Sequence, residues 1–138
     1  MLNKKDIVYK LATKDNAKEI YKIMYETYKN LDDKNTFVCD KLADIEKWLE
    51  KKGFGVLAYN NQQKIIGFLI VSYPGQSKDN LGNDINLYKK ELDKVAHMES
   101  AIVIPEYRGN GIQQQMIQYA ENNIDKNKYR YLFRKKRI

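Results

Sequence analysis

The sequence predicts a mixed α/β domain with its elements in the order β-α-α-β-β-β-α-β. Five short apolar or alternating stretches, at residues 7–12, 54–59, 64–72, 95–104 and 129–133, have the length and pattern of strands. Apolar residues at helical spacing fill three of the intervals between them. The chain has 138 residues, 43% apolar and 12% aromatic, which is the size and composition of one packed domain spanning residues 1–138.

Residues 7–12 alternate apolar and polar side chains, and Thr13 can cap a helix entering at Lys14. In that helix Ala17, Ile20, Tyr21, Met24 and Tyr28 share one face, while Lys18, Glu19, Lys22 and Lys29 take the wet one. A loop over 30–35 leads to a second helix with apolar positions Leu42, Ile45, Trp48 and Leu49, and Gly53 is read as its stop. Strands at 54–59 and 64–72 flank Asn60-Asn61-Gln62-Gln63, a connection of hairpin length, so they pair antiparallel. Pro74-Gly75 ends the second strand of the hairpin. Residues 76–86 are polar and too long for a simple connection, and a short helix is expected over 87–94.

Alternation in the strand at 95–104 puts Ser100, Ile102 and Ile104 on one face and His97, Glu99, Ala101 and Val103 on the other. A helical pattern then runs through Ile112, Met116, Tyr119 and Ala120 and fades at Asn122-Asn123, before the last strand at 129–133. No repeat or interdomain linker interrupts this order.

Charge and cysteine content narrow the function classes. Lys+Arg total 25 against 18 Asp+Glu, a net +7, but six basic residues and no acid lie between Lys128 and Ile138. The body is therefore almost neutral. A nucleic-acid-binding module is favoured only by that tail, and aromatic and basic residues interleave only over 129–134, which reads equally well as a strand; no nucleic-acid partner is expected. Cys39 is the only cysteine, so an intramolecular disulfide and a cysteine-based zinc cluster are excluded, and a reducing, cytoplasmic location fits. No metal is expected. Apolar runs are far too short to span a bilayer and no signal-peptide core is present, so no membrane association is expected.

The segment with chemical content is Pro105-Glu106-Tyr107-Arg108-Gly109-Asn110-Gly111, between a strand and a helix. Glycines let backbone approach a ligand closely, and the unpaired N–H groups and positive dipole end of a helix favour phosphate. A plain turn would show the same glycines, so the pattern alone leaves both readings open. It is not a Walker loop, which ends in Gly-Lys-Ser/Thr, nor a dinucleotide fingerprint, which opens an early βαβ unit.

Arg108-x-x-Gly111, preceded by a strand and Val103-x-Pro105, resembles motif A of the GNAT acyl-coenzyme A acetyltransferases, Gln/Arg-x-x-Gly-x-Gly/Ala. The element order is similar to that family's too, and the resemblance covers essentially the whole chain. It implies a GNAT-like mixed central sheet flanked by helices, and acetyl-CoA as co-substrate, its pyrophosphate cradled by Arg108, Gly109, Asn110, Gly111, Ile112 and Gln113. Gln113 departs from the pattern, standing where Gly or Ala is usual. The resemblance also implies that the strand over 95–104 splays from its neighbour, so that backbone at Ala101, Ile102 and Val103 meets the pantetheine arm, with the Val103 N–H as oxyanion donor.

Acetyl transfer to an amine needs a group that takes a proton from the incoming ammonium. Glu99 and His97 are the candidates on the strand, and the opposing reading pairs Glu99 with a lysine and makes His97 a hydrogen-bonded, partly buried residue. The acceptor is expected to be a small-molecule or peptide amine, with 76–86 and the first two helices as its wall.

In the family a further helix and two strands follow the last strand seen here, and no residue of this chain matches the tyrosine that helix contributes. Three of the four arginines fall within the last nine residues, and a truncation or frame change after Phe133 is set against a natural short form with a basic tail. The leading reading is an N-acetyltransferase working by direct attack. The alternative is a catalytically impaired coenzyme A-binding remnant of the same fold. An open edge on the last strand leads to the expectation of a homodimer through it.

Overall fold

Five strands and three helices occur in the predicted order among the described residues, 6–33 and 39–135, of the computed structural model. Lys34 and Asn35 of the first loop and Lys136 to Ile138 of the basic tail lie outside them. The elements are β1 (Val8–Leu11), α1 (Ala17–Lys29), α2 (Leu42–Glu50), β2 (Gly53–Tyr59), β3 (Ile65–Ser72), β4 (Val95–Val103), α3 (Ile112–Asn122) and β5 (Tyr131–Arg134).

The strands form one sheet in the order β1-β2-β3-β4-β5. Hairpin and loop connections make the first four antiparallel, whereas the crossover through α3 returns β5 parallel to β4. Helices cover both faces. On one, Ile20 and Met24 of α1 and Ile45 and Leu49 of α2 pack on Leu57, Phe68, Ile70 and Ile102. On the other, Ile112, Met116 and Ala120 of α3 pack on Val56, Leu69, Val71, Met98 and Val103. Central β3 is buried along its whole length, which explains why it reads as a continuous apolar run rather than an alternating one.

Four local expectations are corrected or refined. The chain enters α1 through a 3₁₀ turn at Lys14–Asn16, where Asn16 Oδ1 accepts the Thr13 N–H at 2.9 Å, and the α-helix begins only at Ala17. Gly53 opens β2 instead of stopping α2; a side chain there would run into the Val71 carbonyl of the adjacent strand. The short helix expected over 87–94 is present as a 3₁₀ helix, Lys89–Lys94, and a second one, Leu81–Ile85, lies in the segment that reads as a loop. Buried Asn80 organises both: its Oδ1 accepts the Gly82 N–H at 2.8 Å, and its Nδ2 donates to the carbonyls of Gly75 and Leu92 at 2.8 and 3.0 Å. The last strand begins at Tyr131, because Tyr129 is drawn into a stack on Tyr73 with ring centroids 4.0 Å apart.

A fifth correction matters for function. β4 is one residue longer than β3 at their middle: Ile70 pairs with Ser100, but Val71 pairs with Met98, so Glu99 is the extra residue of a bulge. The bulge breaks the predicted alternation. Ala101 and Val103 face α3 with Ala96 and Met98, whereas His97 lies opposite Ser72, on the side of Phe68, Ile70 and the two N-terminal helices. His97 and Glu99 therefore do not share a face with Ala101 and Val103.

Candidate active site

The end of β4 and the start of α3 build the first half of the site. The Ile104 N–H donates to the Ile66 carbonyl at 3.0 Å. By antiparallel alternation Ile102 then also turns its backbone groups to β3, and those of Ala101 and Val103 point away from it. On that outer side β5 follows β4 only from Val95 to Met98, where the Lys135 N–H closes the ladder on the Met98 carbonyl at 3.0 Å. Among the described residues no strand pairs with the outer edge from Glu99 onward, which leaves a slot beside Ala101 and Val103.

Pro105–Tyr107 makes one 3₁₀ turn, and Gly109 and Gly111 then adopt left-handed φ of +81° and +75°. L-residues resist this conformation, so the two glycines are what allow the loop to fold back on the helix start. Space beyond Gly109 is open, with nothing within 4 Å of where a Cβ would lie. Gly111 caps α3, whose first hydrogen bond runs from the Gln115 N–H to the Gly111 carbonyl at 3.1 Å. The N–H groups of Ile112, Gln113 and Gln114 precede it and are directed out of the helix end. Arg108 lies alongside, its Nε donating to the outward Val103 carbonyl at 3.0 Å. Left-handed glycines, free helix-end donors and a guanidinium fit a pyrophosphate.

The second half lies at the bulge. Glu99 is 2% exposed and His97 1%. Ser72 Oγ donates to Glu99 Oε2 at 2.6 Å, Lys135 Nζ donates to Oε1 at 2.9 Å, and His97 Nδ1 lies 3.4 Å from Oε2. His97 Nε2 accepts the Leu81 N–H at 3.1 Å, so the ring proton sits on Nδ1, facing the carboxylate. Burial pushes the Glu99 pKa up, but hydrogen bonds from His97, Ser72 and Lys135, with the Lys135 charge, outweigh it and hold it down to about 2. The carboxylate is ionised at any working pH. Next to it the Ser100 hydroxyl is buried with no hydrogen-bond partner among the described residues.

Glu99, His97, Ser72 and Lys135 line a cleft of about 370 Å³, walled by Asp44, Lys47 and Trp48 of α2 and by Tyr73, Gln76 and Asp79. A larger groove of about 910 Å³ lies at the other end of the sheet, between α1, the β2–β3 hairpin and the Ile104–Arg108 turn.

The sequence profile of the acetyltransferase (GNAT) family matches residues 17–134. The chain belongs to the GNAT family. Among curated proteins, none matches it at a significant level. Solved structures share the GNAT fold. Aminoglycoside N-acetyltransferase AAC(6')-Iy, in complex with CoA, superposes with a TM-score of 0.64 at 17% identity over 94% of this chain and 76% of its own. A possible acetyltransferase from Clostridium difficile 630 gives 0.62 at 18% identity, covering 94% and 78%. A ribosomal-protein-alanine N-acetyltransferase from Brucella melitensis biovar Abortus 2308 gives 0.59 at 14% identity, covering 93% and 78%.

Within this GNAT domain Arg108 to Gln113 are brought together, with Gln113 exposed on the first turn of α3. Ala101 and Val103 present backbone to the slot, whereas Ile102 is committed to β3 and to the core under α1 and α2. Glu99 stands at the bulge in the middle of β4 and His97 two residues before it, with Glu99 about 13 Å from Val103 at the rise of a strand. Ser72 and Lys135 had no sequence signal. Ser72 reads as the polar end of an apolar run, and Lys135 as one member of a basic tail. Among the described residues no helix is long and apolar enough to cross a membrane.

Proposed function

We propose that this GNAT protein transfers acetyl from acetyl-CoA to a primary amine by direct attack, with no covalent enzyme intermediate. What supports the reading best is the arrangement along β4: phosphate-fitting donors at its end, outward backbone N–H groups at Ala101 and Val103 in the slot, and a buried carboxylate at the bulge.

In this reading Arg108 and the backbone of Gly109 to Gln113 hold the pyrophosphate, and the slot takes the pantetheine arm. The amine lone pair attacks the thioester carbonyl carbon. Charge developing on the carbonyl oxygen is stabilised by the Val103 N–H, the C–S bond breaks, and the departing sulfur takes up a proton. Glu99, with its pKa near 2, is too weak a base to store a proton at neutral pH. Its role is to draw the cationic acceptor into the cleft and orient it, and the ammonium proton leaves through water. His97, engaged at both ring nitrogens, orients Glu99 and ties the Leu81 turn to the cleft.

Calorimetric titration with acetyl-CoA, followed by a free-thiol assay over a panel of aminoglycosides, polyamines, amino acids and peptides, tests the proposal. Saturable binding with amine-dependent thiol release is expected. Absence of binding refutes it, and binding without release on any amine favours the remnant reading.

A further inference from the structure

We infer that Asn60, at the tip of the β2–β3 hairpin, is a positioning residue for the acetyl-CoA cradle and acts on it through the Tyr107 hydroxyl. The inference rests on the reading of residues 108–113 as that cradle.

Asn60 is 6% exposed. Its Oδ1 accepts two backbone N–H groups of its own turn, from Gln62 at 2.9 Å and Lys64 at 3.0 Å. Its backbone N–H and carbonyl add bonds to the Lys64 carbonyl and the Gln63 N–H, both at 3.0 Å. Two donors converging on Oδ1 fix which way the amide is turned, so Nδ2 faces the cradle, where it donates to Tyr107 Oη at 3.0 Å. Aspartate would satisfy the turn N–H groups as well, and serine more weakly. Asparagine adds a donor, and that donor goes to a residue 47 positions away.

From Tyr107 the bonding continues into the loop. Its N–H donates to the Ile104 carbonyl at 3.0 Å, and its carbonyl accepts Asn110 Nδ2 at 3.0 Å, which also reaches the Arg108 carbonyl at 3.2 Å. Arg108, Gly109 and Gly111 are exposed, so side-chain packing does not hold this stretch. Its two left-handed glycines give the backbone little intrinsic stiffness. Its shape depends on tethers at its edges: the hydrogen bond from the Ile104 N–H to the Ile66 carbonyl and the packing of Ile104 and Tyr107 on the core hold its start, and the Tyr107 hydroxyl ties it to the β2–β3 turn. A preorganised cradle binds more tightly because less ordering is left for the ligand to impose.

Two variants remove the tether while sparing the turn. Tyr107→Phe deletes only the hydroxyl, and Asn60→Ser keeps an acceptor for the turn on a side chain shorter by the Nδ2 group that reaches Tyr107 Oη. Each is expected to weaken acetyl-CoA binding in calorimetry about three- to tenfold, the worth of one net hydrogen bond. The double variant should lose no more than the worse single, since both break one link. Under steady-state conditions KM for acetyl-CoA should rise by that factor, with kcat and the acceptor KM unchanged. In the free protein, exchange of the hydrogen-bonded amides of Tyr107, Arg108 and Gln115 should quicken while β1 and α1 keep parental rates.

Parental affinity and exchange in Tyr107→Phe, or fully additive losses, would overturn the inference. Should the parent chain bind no acetyl-CoA, the functional reading falls, and amide exchange by itself still decides whether Asn60 holds the loop.

Discussion

Glu99→Gln separates a buried charge from its shape. Glutamine is nearly isosteric with a protonated carboxyl group, so the stability difference between parent and variant tracks what the ionised form contributes. In the parent the Glu99 pKa is lowered from an ordinary 4.5 to about 2 by His97, Ser72 and Lys135 acting against burial. A carboxyl group whose folded pKa is depressed binds protons more weakly folded than unfolded, so it stabilises the fold above the unfolded value and loses that contribution as pH falls through the folded one. At roughly 1.4 kcal/mol per pH unit the shift is worth about 3 kcal/mol at pH 7. At pH 3, where the unfolded carboxyl is protonated and the folded one still ionised, less than half should remain. Urea unfolding at pH 7, 5 and 3 measures it, with a midpoint lowered by about 1–2 M at pH 7 for the variant. A loss below about 1 kcal/mol at pH 7, or one of equal size at pH 3, would show that the network does not hold Glu99 as an anion.

Acetyl-CoA at a hundredfold excess over Kd should stabilise the protein by about 2.7 kcal/mol, and Gly111→Glu should abolish that shift by putting a charged side chain at a left-handed cap beside the helix-end donors; thermal unfolding with and without ligand checks it. Phe68→Ala, at the fully buried centre of β3, should cost about 3–5 kcal/mol in urea unfolding, and a loss under about 1 kcal/mol would mean that this face repacks freely. The outer edge of β5 pairs with no strand among the described residues and Leu132 is 40% exposed there, so apparent mass in light scattering should rise with concentration; a strict monomer whose β5 amides exchange fast removes the expected dimer.

Periodicity was enough to place the hairpin and α3 within a residue or two, because α3 buries one face and β3 a whole strand in a regular way. The cradle was legible for the same kind of local reason: two glycines and an arginine ahead of an amphipathic helix have a meaning that depends little on the rest of the chain. Residues 81–94 were legible only in part, since their shape is set by the side chain of Asn80, which bonds backbone on three sides of the loop, and nothing in composition distinguishes it from the asparagines around it. Ser72 and Lys135 acquire their roles only when β3 and the chain after β5 are brought to the same carboxylate. The link from Asn60 to Tyr107 is equally invisible to a local reading, because it joins two turns that meet only in the folded sheet.

The bulge in β4 shows why one residue decides so much. Strict alternation would turn Glu99 toward α3, where its neighbours would be Ala101, Val71 and Met116, a wholly apolar setting for a carboxyl group. There it would be protonated or the strand would not form. Inserting Glu99 as an unpaired residue instead turns it to the opposite face, where a serine, a histidine and a lysine are within reach. The same insertion leaves Ala101 and Val103 packed toward α3 with their backbone facing the slot. In the proposed reading acetyl-CoA and the acceptor would then approach one strand from different sides without competing for the same side chains. Deleting Met98 would restore regular pairing with Glu99 opposite Val71 and turn the carboxylate toward the core under α3, so the bulge is what lets β4 carry both Glu99 and the edge at Ala101 and Val103.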